Sequence, residues 1–74
     1  MDTMTPTDEL AHFRSEKKRL LNMNPNNEQV QADVEATLRA MGRFRASHPE
    51  SAGIVMNWEV ELLDAFPKAD PDRE

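Results

Sequence analysis

The residue types that most often carry out catalysis or bind metals are scarce in this sequence and widely spaced. His12 and His48 are the only histidines, they lie far apart, and the chain has no cysteine. Glu59 and Glu61 stand two positions apart and fall on different sides of a helix, so they do not form a carboxylate pair for acid–base catalysis. The two glycines are too far apart for a phosphate-binding loop. We therefore predict a protein that is not an enzyme and binds no metal and no cofactor.

Three arginines near the middle of the chain, Arg39, Arg43 and Arg45, form the candidate basic patch. The protein is acidic overall, with a formal net charge of −5, whereas phosphate contacts require a net basic face. A helix-turn-helix motif is also disfavoured, because a turn at Gly42 would place Pro49 inside the recognition helix. We expect a solvated, ion-paired surface here. A small nucleic-acid-associated regulator that uses this Arg/Lys patch remains the alternative.

The negative charge is concentrated at the end of the chain. Residues 48–74 contain seven acidic and two basic residues, which accounts for the whole net charge of −5. Glu59, Glu61 and Asp64 lie in this part, and we expect them to steer the protein toward a basic target.

The length of the chain, 74 residues, allows one small domain. A domain of this size buries only about 60% of its unfolded surface, so its core is marginal and often needs outside support. Without cysteine, that support must come from oligomerisation or from close helix packing. Neither a signal peptide nor an apolar run long enough to cross a bilayer is visible, so we expect a cytoplasmic protein without membrane contact.

The pattern of apolar residues predicts an all-α fold, a small three-helix unit made of an antiparallel helical hairpin plus a third helix, in a dimeric protein. We place the helices at about 6–22, 26–46 and 49–66, each starting near a proline, within a single domain at 1–67. Residues 68–74 are expected to be an acidic disordered tail. The second helix carries one apolar stripe, formed by Val30, Val34, Leu38, Met41 and Phe44.

The third helix has more apolar surface than one side of a helix can hold. On a helical wheel, Ile54, Trp58 and Leu62 belong to one broad apolar arc, and Met56, Val60 and Leu63 form a second arc on the far side. One reading buries both arcs between the first two helices. The reading that we prefer leaves the second arc for another chain, because exposed patches of this kind usually mark interaction surfaces. The predicted partner-binding or dimer-interface residues are Met56, Trp58, Val60, Leu63 and Phe66.

These observations favour a small non-enzymatic protein-binding module. It would act stoichiometrically as an inhibitor, anti-activator or adaptor of a larger protein, and we expect it to be a homodimer. Many small acidic helical proteins of this type are encoded by phages and mobile elements. A structural small subunit of a larger complex is a further alternative.

Overall fold

The computed structural model of the protein describes residues 5–69, and these form three α-helices: α1 at Pro6–Leu21, α2 at Glu28–Ser47 and α3 at Ala52–Ala65. Short 3₁₀ turns at Pro49–Ser51 and Pro67–Ala69 precede and follow α3. No strand occurs within this range. The predicted all-α class and the number of helices are therefore confirmed. The dimeric state remains a prediction.

The start of α1 follows the sequence signal closely. Thr5 has an extended backbone, and its Oγ1 accepts a hydrogen bond of 3.1 Å from the backbone N–H of Asp8. Pro6 occupies the first helical position, where a backbone N–H would have no acceptor within the helix, so the missing N–H of proline costs no hydrogen bond. The carboxylates of Asp8 and Glu9 lie in the first turn, where the helix dipole favours negative charge.

The start of α2 lies later than the sequence predicted. Asn27 is the capping residue, and its Oδ1 accepts hydrogen bonds from the backbone N–H groups of Gln29 at 2.8 Å and Val30 at 3.3 Å. The residues before it form a turn, in which the Oδ1 of Asn24 accepts from the N–H of Asn26 at 2.9 Å. An asparagine at this position satisfies two helix-start donors, which Pro25 cannot do, so the helix begins after Asn27.

The end of α3 continues into the 3₁₀ turn at Pro67–Ala69 instead of a free tail. Phe66 ends the helix and donates its N–H to the carbonyl oxygen of Leu62 at 2.7 Å. Ala69 is buried, and the turn packs against both α2 and α3. The packed part of the chain thus extends past the domain boundary that the sequence suggested at residue 67. Residues 70–74 of the predicted tail lie outside the described residues.

The core lies between the three helices and contains no buried polar or charged side chain among the described residues. The predicted stripe on α2 is confirmed, because all five of its side chains are buried. α1 contributes Phe13 and Leu20, and α3 contributes Val55, Trp58 and Leu62. Phe66 and Ala69 close the core at its end.

α1 and α2 run antiparallel, as the sequence analysis predicted. The rings of Phe13 and Phe44 meet edge to face with 5.5 Å between their centroids, and Glu9 lies in the same groove as His48. The first half of α1 therefore lies against the last half of α2. α3 packs against both helices and completes a three-helix unit. No helix within residues 5–69 combines the length and the apolar character that a membrane span requires.

Candidate partner-binding surface

The structure separates the five predicted interface residues into two groups. Trp58 is 8% exposed and Phe66 is 2% exposed, so both belong to the core and offer no surface to a partner in this structure. Trp58 lies on the same side of α3 as Val55 and Leu62, and that side faces α1 and α2. The expectation that Trp58 anchors a partner is thus replaced by a role in the core.

The remaining three residues form a continuous apolar strip along the outside of α3. Gly53, Met56, Val60 and Leu63 follow each other at spacings of three, four and three, which places them on one side of a helix. Val60 is 63% exposed, Met56 is 49% exposed, and Leu63 is half-buried against the core. We call these four residues the α3 stripe.

A second exposed apolar position was missed by the sequence reasoning. Ile54 was grouped with the buried arc, yet it is about half exposed. On the helical wheel it lies at the far edge of the buried arc, away from the α3 stripe. Leu21, at the end of α1, is also exposed. Because these two side chains belong to different helices and do not join the α3 stripe, we treat them as isolated surface residues.

Two ion pairs hold α3 in place on either side. Arg45 on α2 binds Glu59 through two hydrogen bonds of 2.8 and 3.2 Å. Lys17 on α1 binds Glu61 with Nζ–Oε distances of 3.2 and 3.3 Å. Both carboxylates were predicted to steer the protein toward a basic target, but each is already paired with a cation of the same chain.

Two further carboxylates lie on α3 or in the turn before it. Asp64 is exposed and forms no ion pair with any residue in the range 5–69. Glu50, in the 3₁₀ turn before α3, is exposed, and its Oε2 lies 3.4 Å from Nδ1 of His48. α3 itself contains no lysine or arginine. Within residues 5–69, Asp64 is therefore the one carboxylate of α3 without an ion pair.

The three arginines of the predicted basic patch do not share one side of α2, because Arg39 and Arg43 lie one turn apart whereas Arg45 faces α3. Arg39 pairs with Glu35 one turn before it on α2, at 2.7 Å. Arg43 borders the groove between α1 and α2, whereas Arg45 faces α3 and Glu59. The arrangement resembles the ion-paired surface that we expected more than a single phosphate-binding face.

A shallow groove of about 350 Å³ lies where the start of α1 meets the end of α2. Phe13 and Phe44 contribute aromatic surface, and Glu9, Arg43 and His48 supply polar groups at its walls. The His48 ring stacks on Phe44 with 4.5 Å between centroids. This groove was not predicted. Its polar groups belong to exposed or half-buried side chains, and none of them points into an enclosed space.

The pKa of the Glu16 carboxyl lies below its ordinary value because its side chain accepts a hydrogen bond from Arg19, whose charge adds to the effect. The shortest contact of this pair joins Arg19 Nη2 to Glu16 Oε1 at 2.6 Å. The same hydrogen bond raises the pKa of Arg19. This pair lies on α1 and does not border the α3 stripe.

Residues 5–69 contain no group of three or more His, Cys, Asp or Glu side chains placed to hold a metal ion. Comparisons of the chain with protein-family models, with curated proteins and with solved structures found no match.

Proposed function

We propose that this protein acts by binding another protein through the α3 stripe. It would work stoichiometrically, as an inhibitor, anti-activator or adaptor, and not as a catalyst. The observation that carries this proposal is the exposure of Met56 and Val60 on a helix whose opposite side already fills the core. A partner that covers this apolar surface gains roughly 25 cal/mol of binding free energy for each Å² removed from water.

The exposed side chains of the α3 stripe contribute little to the stability of the single chain. The stability of the fold therefore does not explain why these positions are apolar. Val55, Trp58 and Leu62 supply the core contacts of α3. Met56 and Val60 could be polar without opening a cavity. Apolar residues gathered on one exposed side of a helix are typical of a helix-in-groove or helix-on-helix contact.

The ion pairs of α3 favour binding because they fix the surface in advance. The Arg45–Glu59 pair on one side and the Lys17–Glu61 pair on the other restrict rotation of the helix about its axis. A surface that is already ordered loses less conformational entropy when a partner binds. The same ordered surface would also serve the homodimer that the sequence led us to expect.

The proposal is tested by placing a charge in the centre of the stripe. Val60→Glu should abolish capture of a stoichiometric partner when the tagged protein is purified from the cells that make it. Ala36→Glu is the matched control, because Ala36 is exposed on the outer side of α2 and gains the same charge. Circular dichroism should show the same helicity for both variants.

Two results would contradict the proposal. The first is that Val60→Glu and the control retain the same proteins as the unmodified chain. The second is that all three chains retain none, with the solution mass of each equal to one chain. In either case the α3 stripe has no role in recognition.

A further inference from the structure

We draw no further inference here: the strongest candidate, the exposed apolar surface of Met56 and Val60 on the outer side of α3, carries none beyond the proposed function, because nothing in the structure shows what covers it.

Discussion

The guanidinium of Arg45 and the carboxylate of Glu59 meet through two hydrogen bonds that join α2 to α3. The Nε–Oε2 distance is 2.8 Å and the Nη2–Oε1 distance is 3.2 Å. Glu59 is mostly buried, and the next residue along the helix is Val60, which is 63% exposed. The pair therefore joins α3 to α2 directly beside an exposed apolar position.

Loss of this pair should destabilise the fold more than loss of the pair on the other side. Glu59→Gln is expected to lower the free energy of unfolding by about 1 kcal/mol, because a charged, partly buried hydrogen-bonded pair is lost. Glu61→Gln removes a carboxylate that is half exposed, and we expect a loss within about 0.5 kcal/mol. Urea unfolding followed by circular dichroism measures both. Equal losses would mean that the Arg45–Glu59 contact does not position α3.

Substitution of Trp58 should lower the stability of the fold far more than substitution of Val60, although the two residues are only two positions apart. Trp58→Ala opens a cavity in the core and should cost about 3–5 kcal/mol, which is enough to unfold a marginal domain. Val60→Ser should change stability by no more than about 0.5 kcal/mol. Urea unfolding followed by circular dichroism measures both variants, because Trp58→Ala removes the only tryptophan of the chain. The fluorescence of Trp58 in the unmodified protein and in Val60→Ser reports separately on its burial. Its emission should shift to longer wavelength on unfolding, and emission typical of exposed tryptophan in the native protein would contradict its placement.

Gly42 should be replaceable by alanine with a gain in stability. It lies in the interior of α2 with a backbone that needs no positive φ, and a Cβ added there would meet nothing within 4 Å. Gly42→Ala should therefore raise the free energy of unfolding by about 0.5–1 kcal/mol, as measured by thermal unfolding. Ala36→Gly on the outside of the same helix is the reverse control and should cost a similar amount. A loss of stability in Gly42→Ala would reveal a close neighbour that the single chain does not show.

The Glu16–Arg19 pair should contribute to stability in a pH-dependent way. Because the pKa of Glu16 is lower in the folded chain than its ordinary value, its contribution is present at neutral pH and is lost as the pH falls through the lowered pKa. Glu16→Gln should therefore be slightly less stable than the unmodified chain at pH 7 and equally stable in strong acid. Arg19→Gln should give the same profile, and the double variant should lose no more than either single one. A pH-independent loss would assign the effect to packing.

The predictions made from sequence were correct where a single local residue pattern determines the structure of a helix. The spacing of Val30, Val34, Leu38, Met41 and Phe44 admits only one buried side of α2, and all five side chains are buried. The Thr5 cap and Pro6 likewise define the start of α1 locally. The start of α2 was less certain because Pro25, Asn26 and Asn27 are all credible starting residues. Only the hydrogen bonds of Asn27 decide between them.

The orientation of α3 could not be read from its sequence with the same precision. A helical wheel gives the angles between side chains but not the tilt of the helix across α1 and α2. For this reason it grouped Ile54 with the core residues. The wheel placed Trp58 on the same arc as Leu62, yet Trp58 and Phe66 were assigned to the predicted interface, and both are buried. The burial of Ala69 had no sequence signal either, because a small apolar residue in a charged segment is typical of a solvated tail.

The outer side of α2 has a practical use that follows from its separation from the α3 stripe. Ala36 and Arg43 are seven residues apart on one side of α2, and Arg43 borders α1 instead of α3. The chain has no cysteine. A single cysteine introduced at Ala36 would therefore be a unique site for covalent attachment to a sensor chip or a dye, with the stripe directed away from the support and open to any binding partner.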